Sequence, residues 1–173
     1  MRSSRPYKSP LAAMFWSVVL PGFGQLYNKD YFIGIVLLVL EFLINLNSHL
    51  NLVLVNTFKG DLLQAHQSMD YGWGLFYPSI YGFAIWQAFN SAKANNHKLE
   101  GKAVVERTYL SGFFLGLVIG MDFGLFWHDS SVIKMVPILD YPVFNGVLVG
   151  LVLGIIGNLA EKKLYRNSRM KIT

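Results

Sequence analysis

Five apolar runs stand apart from the polar stretches of the chain: Leu11 to Leu20, Tyr31 to about Leu46, Tyr71 to Phe89, Thr108 to Trp127, and Pro142 to Leu159. The last four approach the roughly 20 residues with which a helix crosses about 30 Å of hydrocarbon. The earliest of these four can lengthen through Leu52-Val53-Leu54-Val55. The pattern predicts an all-α protein, a polytopic helical membrane bundle of four long spans. A short N-terminal helix that re-enters or half-spans precedes them. Aromatic residues at the ends of the runs, among them Tyr31, Tyr71, Trp73, Tyr109, Trp127 and Tyr165, suit a belt at headgroup level. In the last two runs glycine recurs at every fourth position: Gly112, Gly116, Gly120 and Gly124, then Gly146, Gly150 and Gly154. Such rows give a flat backbone groove, so these two helices are expected to pack closely in lipid, where packing holds helices together.

Leu11 to Leu20 is too short to cross as a straight helix, and Pro21-Gly22 should end it. The distribution of charge bears on its path. If the segment re-enters, the cytoplasmic side collects Arg2, Arg5, Lys8, Lys29, Lys93, Lys98, Lys102, Arg107, Lys162, Lys163, Arg166, Arg169 and Lys171, which is 13 of the 15 basic residues. Only Lys59 and Lys134 then lie outside. If it spans, the best arrangement puts 10 inside and 5 outside, with a basic N-terminus on the outer face. The positive-inside rule favours re-entry and places both termini in the cytoplasm. The outer loops are then Asn47 to Asp70, with room for a short amphipathic helix, and His128 to Asp140. The inner loop is Asn90 to Arg107, and 160–173 form a basic cytoplasmic tail. The start imitates a signal peptide, but no small-x-small cleavage site follows Leu20, and the segment is read as retained.

Composition agrees with a single integral membrane domain over 1–173. The 173 residues are 53% hydrophobic and 14% charged, with mean hydropathy +0.39, outside the range of soluble domains. The net charge of +5 is confined to short clusters beside apolar runs, which fits anionic lipid rather than nucleic acid. The chain has no cysteine, which removes disulfides, thiolate catalysis and thiolate metal ligands.

Around the first turn the sequence reads Ser9-Pro10, Leu11 to Leu20, Pro21-Gly22-Phe23-Gly24-Gln25-Leu26-Tyr27-Asn28, then Gly34 within an apolar run. Over residues 9–46 this resembles a recurrent bacterial hairpin of "PG-x-G-Q-x-Y" membrane proteins, similar to the family named for its two-transmembrane-helix domain. The resemblance implies two apolar segments joined by a tight glycine turn. It carries no general enzymatic activity and points to an accessory membrane protein. The residues themselves agree with a turn: Gly22 and Gly24 permit positive φ and close backbone approach. Pro21 frees backbone groups that Gln25 can satisfy, and Tyr27 can anchor the turn at the interface.

Polar residues inside the apolar runs are the remaining candidates for chemistry. Glu41, Asn45 and His49 follow one another at four-residue spacing and predict a polar stripe on one helical face. An acid at that depth faces a partner or water, so Glu41 and Asn45 could form a polar path for protons or cations, or a docking stripe for another membrane subunit. Asp122 lies within Gly120-Met121-Asp122-Phe123-Gly124, and His128, Asp129 and Asp140 follow it. Together they could form an outer-leaflet metal or hydrolytic site. One histidine with carboxylates is a poor zinc set, and no HExxH-like spacing exists. Asn145 and Asn158 read as interhelical or interfacial hydrogen-bonders. No nucleophile elbow or phosphate-binding glycine loop occurs.

The expectation is therefore a non-enzymatic accessory or structural membrane protein, a subunit or partner of a larger envelope or transport complex in the cytoplasmic membrane. No cofactor or metal is expected, and its partners would be the bilayer and another membrane protein or a second copy. A small channel or transporter component working through Glu41 and Asn45 is the alternative, and a membrane enzyme near Asp122, His128 and Asp129 the second.

Overall fold

The computed structural model describes residues 7–101, 108–127 and 142–170. These are all-helical: α1 Pro10–Val19, α2 Phe23–Tyr27, α3 Tyr31–Ser48, α4 Leu50–Lys59, α5 Leu62–Ser68, α6 Tyr71–Gly74, α7 Phe76–Leu99, α8 Ser111–Trp127 and α9 Pro142–Met170. Contacts divide the chain into two units. Met1–Leu43 with Ile80–Tyr109 make one, and Ile44–Ser79 with Leu110–Thr173 the other, so the divisions fall inside α3 and α7.

In the first unit, Ser9 caps α1 by accepting from Ala12 N at 3.2 Å, with Pro10 at the first helical position. Proline at 21 has no N–H to continue the ladder, and α1 ends in extended backbone at Leu20. Gly22 then takes φ +106, a conformation that suits glycine; a Cβ there would stand 2.6 Å from the Gly34 carbonyl oxygen and 2.7 Å from Leu38 Cγ. Lys29, at φ +65, closes α2 with bonds from Lys29 N to Leu26 O and from Asp30 N to Gln25 O.

Along α3 the buried positions are Gly34, Leu37, Glu41, Ile44 and Ser48, one face at three- and four-residue spacing. Phe32, Ile35, Val39, Phe42 and Leu46 are exposed on its other sides. The helix does not run on through Val55. His49 adopts φ +57 and starts a new helix, while the Ser48 carbonyl accepts from Asp70 N at 3.2 Å.

In the second unit, the stretch expected as an outer loop carries α4 and α5, which pack on each other. Gly60, at φ +80, ends α4, and Asp61 caps α5 by accepting from Gln64 N at 3.1 Å. Asp70 caps α6 in the same manner. Helices α8 and α9 form an antiparallel pair, as their contacts below establish.

By length and composition two helices among the described residues, not four, are long and apolar enough to cross a membrane: Tyr31–Ser48 and the Phe144–Tyr165 part of α9. The four long spans expected from the sequence differ for two reasons. Helix α8 has 17 residues, about 26 Å at 1.5 Å each. The run from Tyr71 breaks at Leu75 into α6 and α7, and α7 continues ten residues beyond Phe89 through Asn90, Ser91, Lys93, Asn95 and Asn96. The stretch expected as an inner loop from Asn90 is therefore helical as far as Leu99. The tail expected from residue 160 is the continuation of α9 to Met170.

Candidate functional site

The Pro21–Asn28 turn is densely bonded, and its side chains are cradled by one face of α7. Ala84, Ala88 and Ala92 are fully buried there and Asn96 nearly so, giving a row of small residues at every fourth position. Gly24 lies so close to α1 that a Cβ would stand 2.2 Å from both Ala13 O and Ser17 Oγ, and 2.8 Å from Ala88 Cβ. Gln25 is fully buried. Its Nε2 donates to Ala84 O at 2.7 Å and to Gln87 Oε1 at 2.8 Å, while its Oε1 accepts from Ser17 Oγ at 3.3 Å. One amide thus ties α1, α2 and α7 together. Its partners are not the backbone groups freed by Pro21, which the sequence had pointed to.

One turn further on, Asn28 Nδ2 donates to Ala88 O at 2.7 Å. The Asn28 Oδ1 is buried without a hydrogen-bond partner among the described residues. Ser91 donates its hydroxyl hydrogen to Asp30 Oδ2. Tyr27 accepts at its hydroxyl from Ser9 N at 3.3 Å, and the Lys8 ammonium lies 4.5 Å from the centre of its ring. Lys8 in turn exchanges two bonds with Asn96, its N–H donating to Oδ1 at 3.0 Å and its carbonyl accepting from Nδ2 at 2.6 Å. Residues 9 to 27 consequently leave and return to one level, that of Lys8, Tyr27 and Asn96. At the far end of α1 the Tyr81 hydroxyl donates to the Val18 carbonyl.

Glu41 is 6% exposed on the inward face of α3. Asn45 is half-buried and its Nδ2 donates to Asn51 Oδ1 at 3.3 Å, across the break between α3 and α4. The polar stripe stops there, because His49 lies outside α3 and is exposed. Asp122 sits two residues from both Gly120 and Gly124, which turns it about 200° away from their face of α8. It is half-buried, and its Oδ1 is enclosed without a hydrogen-bond partner among the described residues. His128, Asp129, Lys134 and Asp140 lie outside the described residues, so the outer-leaflet grouping has Asp122 alone within them. Among the described residues no three His, Asp or Glu side chains gather as a metal would require.

The glycine rows meet each other. A Cβ on Gly112 would stand 2.3 Å from Gly157 O, on Gly116 2.1 Å from Leu153 O, on Gly120 2.7 Å from Gly150 Cα, and on Gly124 2.6 Å from Gly146 Cα. Partner numbers fall as α8 numbers rise, so the helices are antiparallel with backbones touching along the whole seam. A Cβ on Gly154 would meet Phe113 at 3.0 Å, while the Gly154 Cα itself stands 3.0 Å from a Cβ placed on Gly116. The two ends are fastened by polar side chains. Asn145 is 1% exposed and donates from Nδ2 to Gly124 O at 2.5 Å, and Glu161 Oε2 accepts from Gly112 N at 2.9 Å in the first turn of α8. Beside the Gly112 end, Leu115, Ile119, Leu164 and Tyr165 border a cleft of about 570 Å³.

Several of these residues escaped the sequence reading. Gly157 continues the second row at a spacing of three rather than four. Ala84, Ala88 and Ala92 obey the same small-residue rule as the glycines. Gln87 and Asn96 carried no local signal, because their partners lie 62 and 88 residues away.

Residues 6–67 match the model of a family of unknown function, DUF5683. The match takes in the hairpin, α3, α4 and α5 up to Gln67, little more than a third of the chain. No curated protein and no solved structure matches the chain.

Proposed function

We propose that the chain is a polytopic protein of the cytoplasmic membrane that acts without catalysis, as an accessory or structural subunit of a larger envelope or transport complex. The observation that carries this reading is the inverted polarity of the helices. Gln25, Asn145, Ser17 and Ser48 are among the largest fully buried side chains, whereas Phe32, Val39, Phe42, Leu115, Ile155 and Leu159 are exposed. A soluble helix turns its apolar stripe inward and its charges outward; α3 buries its single acid with Leu37 and Ile44 and leaves Phe32, Val39 and Phe42 exposed. Lipid accepts that arrangement and water does not.

The layout consistent with it has a re-entrant hairpin over residues 9–27 and spans at α3, α6–α7, α8 and α9, with both termini cytoplasmic. The closed path from Lys8 to Tyr27 supports re-entry, since the segment returns to the level at which it began. The hairpin likeness to two-transmembrane-helix proteins agrees with this. The accessory role rests on what the polar residues in and around the turn do: Ser17, Gln25 and Asn28 join α1, α2 and α7, and Asn96 ties α7 to Lys8.

Burial of Glu41 favours a second reading, a small channel or transporter component with Glu41 and Asn45 on a polar path. Two measurements separate the readings. Purification in mild detergent is expected to recover a stoichiometric membrane partner or a defined self-assembly, and reconstituted chain is expected to pass no protons or cations above protein-free vesicles. Flux that disappears in Glu41→Gln, from a chain that purifies alone, would replace the accessory reading with the channel.

A further inference from the structure

We propose that the level of the first unit holding Lys8, Lys29 and Lys93 is a collar that binds the headgroup of an anionic phospholipid. The inference rests on the membrane reading and assigns one surface of it. Hydrogen bonds fix the three lysines in one layer. Lys8 is paired with Asn96, Tyr27 with Ser9, and Asp30 with Ser91, so residues 8, 27–30 and 91–96 share a height.

Two of the ammonium groups are held by aromatic faces. Lys8 Nζ lies 4.5 Å from the Tyr27 ring centre, and Lys93 Nζ lies 3.8 Å from that of Tyr109 and 5.4 Å from that of Phe89. Tyr109 is itself pinned by Asn90, which accepts from Tyr109 N at 2.7 Å and donates to its carbonyl at 3.0 Å. A lysine stacked in this way has surrendered part of its rotamer freedom before any ligand arrives, which lowers the cost of binding. Lys29 is exposed in the left-handed turn between α2 and α3. Among the described residues 8, 27–30 and 91–96 the acid is Asp30, whose carboxylate accepts the Ser91 hydroxyl, and the lysines outnumber it.

What singles out a lipid is the surface that continues from the collar. Helix α3 begins two residues after Lys29 and exposes Phe32, Ile35, Val36 and Val39 along its length. A phosphate at the lysines therefore places an acyl chain on apolar helix surface. A free anion uses the first part alone, and an acidic protein segment gains nothing from the second. Lysines at a membrane surface favour anionic lipid by about fivefold each at moderate salt.

The test uses the full chain in neutral detergent, with its thermal midpoint followed against phosphatidylglycerol, phosphatidylcholine, inorganic phosphate and poly-glutamate at matched concentration. Phosphatidylglycerol is expected to raise the midpoint, and the other three to leave it in place. The K8Q/K93Q double variant should bind phosphatidylglycerol at least tenfold more weakly, K8R/K93R should retain binding, and K59Q should behave as the parent. Should the double glutamine variant fail to fold, K29Q alone, altered at an exposed side chain, should weaken binding about fivefold. Equal shifts with both lipids, an unchanged K29Q titration, or the full shift from phosphate or poly-glutamate would each overturn the collar. Alkaline extraction from phosphatidylcholine vesicles keeps the two levels apart. A chain that washes out loses the membrane reading itself, whereas one that stays but shows no lipid preference loses only the collar.

Discussion

Gln25 has no surface left to offer a ligand, and its three hydrogen bonds tie its own helix α2 to α1 and α7. A buried amide is stabilising only while its partners remain, because an orphaned group carries its full desolvation cost of about 1–3 kcal/mol. Gln25→Leu should therefore destabilise the chain by about that amount, through Gln87 and Ser17 rather than through Ala84, whose carbonyl lies within the α7 ladder. Gln87→Ala should lose part of the same energy. In a double-mutant cycle followed by thermal denaturation in detergent, the pair should couple by about 1 kcal/mol or more. Simple additivity would mean that the two amides do not act together. Glu41 calls for a different comparison. Glu41→Gln keeps volume and hydrogen-bonding capacity, so the fold and the melting midpoint should be preserved. Glu41→Leu removes both oxygens and the hydrogen-bonding capacity that glutamine keeps, and should melt lower.

At the scale of elements, the α8–α9 seam makes a graded prediction. An added methyl costs most where it meets backbone, since backbone cannot step aside as a flexible side chain can. Gly116→Ala and Gly157→Ala would place Cβ atoms 2.1 Å and 2.0 Å from carbonyl oxygens across the seam. Each should cost about 1–3 kcal/mol by overpacking. Gly146→Ala, with its nearest neighbour at 3.2 Å, should cost much less. Thermal midpoints of the three variants should fall in that order, and equal melting of all three would dissolve the seam. The rows that make it were legible in the sequence because glycine at every fourth position has one physical use in an apolar helix. The ends of the helices were legible only where a residue forces them. Pro21 and Gly22 mark the end of α1 openly. Between Phe83 and Glu100 there is neither glycine nor proline, so α7 continues through a polar stretch that hydropathy alone read as loop. The break at His49 has no such residue either. It depends on Asp70, 22 positions away from Ser48, taking the Ser48 carbonyl, and contacts of that range leave no trace in a local pattern.

For the whole molecule, sidedness is the quantity that decides between a polytopic layout and helices that merely lie on lipid. On the proposed layout, the positive-inside rule would put the level of Lys8, Lys29 and Lys93 in the cytoplasm and α4–α5 outside. Tyr31 is 58% exposed at the start of α3, just beyond the collar, and Leu63 is 70% exposed on α5. Each can carry a reporter without disturbing a packed contact. The chain contains no cysteine, so Tyr31→Cys and Leu63→Cys variants would each have a single thiol. In intact cells an impermeant maleimide should label the Leu63→Cys variant and leave the Tyr31→Cys variant untouched until the inner face is opened. The two labels are linked by α3, because a helix of 18 residues covers about 27 Å, close to the hydrocarbon thickness. If both react from one side, α3 does not cross and the four-span layout falls with it. If both react with sides exchanged, the helices cross but the basic clusters face outward. The re-entrant path of residues 9–27 would survive that result, since it rests on Lys8, Tyr27 and Asn96 sharing a level and not on which compartment that level faces.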